Sequence, residues 1–138
     1  MITVVFACVH NAGRSQMAAA FFNRQADPAR ARAVSAGTAP GDRIHPEVVA
    51  TMADIGIGLT GTPQHLTGDI TSEATWLITM GCGDQCPFVP GARVEDWPLP
   101  DPKGRPPEEV RAIRDDIAGR VRALVAREGW GEGLRPGA

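Results

Sequence analysis

Short apolar runs alternate along the chain with longer segments of helical periodicity. The short runs lie at 4–7, 33–36 and 76–80, and 94–97 is a candidate fourth strand; the helical patterns lie at 15–25, at 45–55 and from 107 onward. Strands covered on both faces form continuous apolar runs, whereas amphipathic helices repeat their apolar positions every three to four residues. The alternation therefore predicts a single-domain α/β protein, a three-layer sandwich around a parallel, doubly wound sheet.

The last helical segment has the clearest apolar stripe. The residues of this stripe are Val110, Ile113, Ile117, Val121, Leu124 and Val125. Arginines and acids lie on the opposite side, as in a surface helix that packs on a core. The residues that follow are rich in Gly and Pro. We therefore expect one domain over 1–130 and a flexible C-terminal tail over 131–138, although Trp130 could dock on the domain.

Composition limits the classes of protein to consider. The 138 residues fit one domain that buries a core without disulfide bonds. The formal net charge of −2 provides no global field that would attract nucleic acid or an anionic membrane. The chain begins directly with a strand-like run, and no apolar stretch approaches the roughly 18 residues of a membrane span. We therefore expect a cytoplasmic monomer whose three cysteines stay reduced at rest.

The most informative segment is Cys-Val-His-Asn-Ala-Gly-Arg-Ser at 8–15, between the first strand and the first helix. A loop at a helix N-terminus collects unpaired N–H groups and the positive end of the helix dipole, so it binds tetrahedral oxyanions. We predict Cys8 as a thiolate nucleophile, Arg14 as a two-pronged clamp on the anion and Ser15 as a hydrogen-bond donor to the sulfur. The predicted oxyanion-binding residues are Cys8, Val9, His10, Asn11, Ala12, Gly13, Arg14 and Ser15. The alternative is a buried structural cysteine that precedes an arginine by chance.

Two further cysteines, Cys82 and Cys86, follow the third predicted strand in a glycine-rich segment. Thiols this close can form a disulfide if the backbone brings the sulfurs together, and glycines allow that movement. We therefore favour a redox relay through the cysteines. A zinc site needs about four ligands, and the scattered histidines supply no second pair, so no metal site is predicted. A structural role for two small core residues is the remaining interpretation.

A proline-rich loop at 97–102, Trp-Pro-Leu-Pro-Asp-Pro, follows the fourth predicted strand. Because ligands of parallel α/β sheets bind beyond the carboxyl ends of the strands, we expect this loop on the same edge as Cys8. Asp101 is the candidate general acid, and the alternative for it is a simple turn residue. The competing acids are Asp84, Glu95 and Asp96, of which the last two are more typical of solvated strand ends.

Taken together, these segments resemble the low-molecular-weight protein-tyrosine-phosphatase superfamily and, within it, the arsenate reductases that share its fold. The stretch from Cys8 to Ala18 is similar to the family's anion loop and helix start, and Asp101-Pro102 matches its acid position. The segment Gly-Cys-Gly-Asp-Gln-Cys-Pro at 81–87 is similar to the reductase branch. The resemblance covers residues 2–128. It implies a four-stranded parallel sheet in the order 2-1-3-4 and an Asn11 that braces the loop through backbone hydrogen bonds.

The resemblance also implies a thiol cascade. Arsenate enters the loop, where phosphate or sulfate could also bind, and Cys8 attacks the arsenic while Asp101 protonates the departing oxygen. Cys82 then attacks the Cys8 sulfur, and Cys86 moves the disulfide to the 82–86 pair. Thioredoxin then reduces that disulfide; a low-molecular-weight thiol with a glutaredoxin-like protein is the alternative reductant. No tightly bound cofactor is implied.

Two positions depart from the family pattern. The phosphatases usually carry an aromatic residue after the Asp-Pro pair, where this chain has Lys103 and no tyrosine anywhere. Reductases that bind potassium carry an acid where this chain has Ala19, so we expect no potassium ion. Two alternative classes remain open: a phosphomonoesterase that needs only Cys8, Arg14 and Asp101, and an oxyanion sensor without turnover.

Overall fold

The computed structural model of the chain describes residues 1–81 and 89–131. The elements in these residues are β1 (Ile2–Cys8), α1 (Arg14–Gln25), β2 (Ala31–Gly37), α2 (Pro46–Ala53), α3 (Gly68–Ser72), β3 (Trp76–Thr79), β4 (Arg93–Asp96) and α4 (Pro107–Glu128). All of the predicted strands and helices are present. None of these helices combines the length and the apolar character that crossing a membrane requires. The predicted tail, apart from Gly131, lies outside the described residues.

The strands form one parallel sheet in the order β2-β1-β3-β4, which confirms the expected order. Cys8 at the end of β1 lies opposite Gly37 at the end of β2. Thr79 at the end of β3 lies opposite Asp96 at the end of β4. The segments that follow the strands therefore emerge together at one edge of the sheet.

Both faces of the sheet are covered, because successive side chains of a strand point to opposite faces. On one face, Val4 and Phe6 of β1 share a core with apolar residues of α1, α2 and α4. On the other face, Val5 and Ala7 form a smaller cluster with Leu77 of β3, and Ile70 of α3 packs against it. This confirms the three-layer sandwich and explains why β1 reads as a continuous apolar run.

Helix α4 and the residue just beyond its end complete the main core. Every residue of the predicted apolar stripe is buried. The helix ends at Gly129, whose φ of 76° is the left-handed conformation that glycine adopts most easily. Trp130 follows and is 8% exposed, with its ring edge-on to the rings of Phe22 and Trp76. Trp130 therefore docks on the domain.

Helices α2 and α3 are where the local pattern predicted least well. The pattern predicted a helix at 45–55, but α2 ends at Ala53 and the chain then turns through Gly56, which has a φ of 81°. The pattern did not predict α3, because its five residues are too few to show an apolar period. The sequence does contain one signal for the start of α3, the N-cap residue Thr67. Its side chain accepts a hydrogen bond from the N–H of Ile70 at 3.4 Å.

Candidate active site

The loop 8–15 lies at the carboxyl edge of the sheet, between β1 and α1. Cys8 is the last residue of β1, and Arg14 is the first residue of α1. The Cys8 side chain is 2% exposed. The structure therefore places the cysteine at the floor of the loop and the arginine at the helix N-terminus, as the sequence predicts.

The carbonyl groups of the loop point outward to the surrounding segments. Four loop carbonyls accept hydrogen bonds from backbone N–H groups of the segment 38–45. The pairs are Cys8 with Thr38 at 3.2 Å, Val9 with Ala39 at 2.8 Å, His10 with Gly41 at 3.0 Å and Ala12 with His45 at 2.9 Å. The described peptides are all trans, so the N–H that follows each of these carbonyls points the opposite way. The N–H groups of residues 9–16 make no hydrogen bond to another described residue. The loop therefore turns a set of donors inward, as an anion site requires.

Gly37 explains how β2 can approach the loop closely enough for these bonds. A Cβ atom at Gly37 would lie 2.5 Å from the carbonyl oxygen of Val9 and 2.9 Å from the amide nitrogen of Asn11. No side chain fits there. Its closeness to the loop depends on the pairing of β1 with β2, in which Gly37 lies opposite Cys8.

A chain of buried side chains connects Asn11, Ser15 and Cys8. The Cys8 sulfur lies 2.9 Å from the Ser15 hydroxyl oxygen. The Asn11 amide donates a hydrogen bond to that hydroxyl oxygen at 2.7 Å. Because the amide donates to the Ser15 oxygen, the hydroxyl proton is free to point at the sulfur. Ser15 is thus arranged to donate to a thiolate at position 8.

Asn11 holds the middle of the loop in an unusual conformation. Its φ of 50° lies in the left-handed region, which non-glycine residues adopt infrequently. Its side-chain oxygen accepts hydrogen bonds from the N–H of Gln64 at 2.9 Å and from the side chain of Gln16 at 3.2 Å. Asn11 therefore braces the loop through its side-chain oxygen, which binds the backbone of Gln64 and the side chain of Gln16. Gln64 is not among the predicted site residues, because it lies 53 residues from Asn11 in the sequence and carries no local signal.

Arg14 is 8% exposed and is held from the proline-rich loop. Its Nη1 donates a hydrogen bond to the carbonyl oxygen of Leu99 at 2.9 Å. Its Nη2 lies 4.0 Å from Oδ2 of Asp101. Pro98 and Pro100 flank Leu99 and restrict the backbone of that loop. The guanidinium is therefore fixed in orientation beside the anion loop.

Asp101 also lies at the site, with its side chain 43% exposed. Its Oδ1 accepts a hydrogen bond from the backbone N–H of Lys103 at 3.0 Å. The neighbouring Pro102 lies so close to Gly13 that a Cβ at Gly13 would be 2.9 Å from its Cγ. This contact ties the acid-bearing loop to the anion loop, which suits a proton donor positioned over the bound anion.

The described competitors of Asp101 have other partners. Asp96 accepts a hydrogen bond from the Thr79 hydroxyl at 2.7 Å. Glu95 accepts hydrogen bonds from the Trp97 indole at 3.1 Å and from the Arg127 guanidinium. The hydrogen bond that Arg127 donates to Glu95 is the main cause that raises the pKa of Arg127. Asp84 lies outside the described residues. The geometry thus favours Asp101 among the described acids.

The other two cysteines, Cys82 and Cys86, also lie outside the described residues. The chain can be followed to Gly81, the residue bonded to Cys82. A Cβ at Gly81 would lie 2.3 Å from Nη1 of Arg14. The chain therefore reaches Arg14, the predicted anion ligand, one residue before the second cysteine.

A cavity of about 600 Å³ opens beside the loop, between His10 and Lys103. Its lining includes Arg43, Asp42 and Glu47, and no Phe, Tyr or Trp among the described residues contributes to it. The cavity is therefore charged, without a ring that could stack on an aromatic substrate. The described residues also contain no group of three or more His, Cys, Asp or Glu side chains that could hold a metal ion.

These features define an α/β protein with a buried cysteine at the floor of a loop of inward-facing N–H groups and a buried arginine at the N-terminus of the following helix. The chain belongs to the low molecular weight phosphotyrosine protein phosphatase family, whose model matches residues 3–129.

Several relatives are named as arsenate reductases. A Halobacterium salinarum protein provisionally named arsenate reductase is 40% identical over 84% of this chain and 85% of its own length. A Synechocystis protein named glutaredoxin arsenate reductase is 33% identical over 92% of this chain and 98% of its own length. The solved structure of the Corynebacterium glutamicum thioredoxin-dependent arsenate reductase superposes with a TM-score of 0.80 at 38% identity. That match covers 92% of this chain but only 61% of the Corynebacterium chain.

Proposed function

We propose that this protein reduces arsenate to arsenite, with Cys8 as the nucleophile. The observation that carries the proposal is the placement of the Cys8 sulfur 2.9 Å from the Ser15 hydroxyl, at the floor of a loop with inward N–H groups. Arsenate has the shape and charge of phosphate, so such a loop accepts it. The names of the Halobacterium, Synechocystis and Corynebacterium relatives support arsenate as the substrate.

The first step is attack of the Cys8 thiolate on arsenic. A sulfur–arsenic bond forms, and an arsenic–oxygen bond breaks as Asp101 protonates the departing oxygen to give water. Arg14 holds the remaining oxygens with two parallel hydrogen bonds, which a planar guanidinium provides. The backbone N–H groups of the loop complete the oxyanion site, formed by residues 8–15.

The second step transfers two electrons to arsenic. The Cys82 thiolate attacks the Cys8 sulfur, a disulfide forms, and the sulfur–arsenic bond breaks with its electron pair leaving on arsenic as arsenite. Cys86 then attacks Cys82, which releases Cys8 as a thiolate and leaves the 82–86 disulfide. The contact of Gly81 with Arg14 supports this order, because the second cysteine is bonded to a residue that lies at the anion site.

An external thiol protein reduces the 82–86 disulfide. We propose thioredoxin, as in the name of the Corynebacterium relative. The name of the Synechocystis relative makes a glutaredoxin the second candidate. No tightly bound cofactor takes part in either scheme. Consumption of reduced nicotinamide through thioredoxin and thioredoxin reductase, dependent on arsenate, distinguishes the two reductants.

A phosphomonoesterase is the second candidate function, because hydrolysis needs only Cys8, Arg14 and Asp101. The family match supports it. The charged cavity beside the loop, with Lys103 in its lining, disfavours phosphotyrosine as its substrate. Hydrolysis of an aryl phosphate by the wild-type protein, measured beside arsenate reduction, compares the two functions directly.

The relay is tested by comparing Cys82→Ser with Cys86→Ser in a single turnover. Without Cys82, no internal thiol attacks the Cys8–arsenic adduct, so we expect almost no arsenite. Without Cys86, the first turnover proceeds and stops at a Cys8–Cys82 disulfide, so we expect about one arsenite per enzyme. Peptide mapping without reductant identifies the disulfide that accumulates in each variant.

The control for this comparison is aryl phosphate hydrolysis, which needs neither Cys82 nor Cys86 and should be equal in both variants. Wild-type arsenate reduction by both variants, with thioredoxin as sole reductant, would show that the cascade is wrong. Reduction that depends on a small external thiol in both variants would assign recycling to that thiol.

A further inference from the structure

Gly81 lies against the guanidinium of Arg14 in a backbone conformation that favours glycine. Its φ is 91°, and a Cβ built on it would lie 2.3 Å from Nη1 of Arg14 and 3.7 Å from the carbonyl oxygen of Leu99. The missing side chain therefore leaves room for the hydrogen bond from Arg14 to Leu99 at 2.9 Å. A methyl group at position 81 would press on the donor of that bond.

The atom that a methyl group would meet belongs to the end of a long side chain. Arg14 can rotate away from an added methyl group, whereas a backbone atom could not. Movement of the guanidinium can therefore relieve the steric conflict, whereas the backbone strain of a side chain at a φ of 91° remains. Arg14 is 8% exposed, so its displacement takes place inside the site and changes how its N–H groups face the anion.

We propose that Gly81 is a positioning residue for oxyanion binding, because its lack of a side chain holds Arg14 in its clamping orientation. The identification of arsenate as the anion rests on the proposed function. The binding of inorganic phosphate is independent of that function, since it requires only the loop and Arg14. Gly81 is also covalently bonded to Cys82. The residue that positions Arg14 is therefore the chain neighbour of the second cysteine of the proposed relay.

Gly91 provides a matched control for the backbone. Its φ of 85° is close to that of Gly81, but a Cβ built on it has nothing within 4 Å. Both Gly81→Ala and Gly91→Ala therefore place an alanine in the left-handed region. Only Gly81→Ala meets Arg14. A difference between the two variants then reports the contact with Arg14 and not the strain in the backbone.

The experiment measures phosphate affinity by calorimetry and stability by thermal melting in both variants. We expect Gly81→Ala to weaken phosphate binding by about tenfold to a hundredfold, the loss of one hydrogen bond to a charged group. Gly91→Ala should bind phosphate as the wild type does, and it should lose less Tm than Gly81→Ala, which also disturbs the buried bond from Arg14 to Leu99. With arsenate, Gly81→Ala should raise KM more than it lowers kcat.

Wild-type phosphate affinity in Gly81→Ala overturns the proposal, as does an equal loss of affinity in Gly91→Ala. If Gly81→Ala does not fold, the double variant Arg14→Lys with Gly81→Ala should fold, because lysine has no Nη1 at the crowded position. Failure of the double variant to fold would place the cost in the backbone and also overturn the proposal. If no variant reduces arsenate but the difference in phosphate affinity remains, the proposed function fails and the positioning role stands.

Discussion

The Ser15 hydroxyl oxygen lies 2.9 Å from the Cys8 sulfur, and both side chains are at most 2% exposed. Asn11 donates to the same hydroxyl oxygen, which leaves the hydroxyl proton for the sulfur. The Ser15 hydroxyl and the N-terminus of α1 therefore both direct positive partial charge at the Cys8 sulfur. This placement is what the proposed nucleophilic role of Cys8 requires.

Cys8→Ser should abolish arsenate reduction and any aryl phosphate hydrolysis while the domain stays folded. The hydroxyl is close in volume to the thiol, but it is a weak nucleophile without an adjacent base. Activity assays and a thermal melt of the same preparation check this. Retention of a tenth of wild-type activity would remove Cys8 from the mechanism.

Arg14→Lys should weaken oxyanion binding by about 2–4 kcal/mol, or roughly thirtyfold to a thousandfold. A point charge cannot reproduce two parallel hydrogen bonds on the anion, nor the bond to the Leu99 carbonyl. Protection against thermal melting by sulfate or phosphate measures the effect. The control is Arg120→Lys, at an exposed pair with Asp116 on α4, which should leave protection unchanged. Full protection in Arg14→Lys would show that Arg14 does not hold the anion.

Asp101→Asn should lower turnover by on the order of 10²–10⁴, the usual contribution of a general acid. Its effect on substrate affinity should be small, because the amide retains the acceptor for the Lys103 N–H. The matched control is Asp96→Asn. The Asp96 carboxylate accepts a hydrogen bond from Thr79, so this substitution should not affect turnover. Equal turnover of Asp101→Asn and wild type across pH would direct the search to Asp84.

Asn11→Ala and Asn11→Gly should lower arsenate reduction to a similar extent, but the two variants should differ in their free energy of unfolding. Both variants remove the donor to Ser15 and the acceptor for Gln64, which costs about 1–3 kcal/mol. Alanine also has to adopt the φ of 50°, at a further cost of roughly 1 kcal/mol. Denaturant melts should therefore place the glycine variant above the alanine variant. The opposite order would mean that the left-handed conformation is not retained.

Trp130→Ala should destabilise the domain by about 3–5 kcal/mol, the range for large aromatic residues in a core. The indole packs against Phe22 and Trp76, so its removal leaves a cavity at the end of α4. Val94→Ala, at a side chain that is 52% exposed, serves as the control with little expected effect. A similar small effect at both positions would show that the chain beyond Gly129 does not belong to the core.

The sequence by itself determined most of the elements and the position of the loop between β1 and α1. The apolar runs identified β1 and β3 most clearly, because a sheet covered on both faces leaves few polar positions in these strands. The stripe on α4 identified the buried residues of that helix. The segment 8–15 identified the candidate anion loop with Cys8 and Arg14, since a loop between a strand and a helix N-terminus has a local physical signature. The strand order and the relay came from a resemblance to a family.

Only the tertiary structure decided how these parts meet. Arg14 bonds to Leu99 across 85 residues, and Asn11 bonds to Gln64 across 53 residues. Such contacts depend on the register of the sheet and on loop paths, which apolar periodicity does not encode. Gly37 and Gly81 look like ordinary turn glycines in the sequence. Their lack of a side chain matters because a loop carbonyl and a guanidinium approach them closely in space.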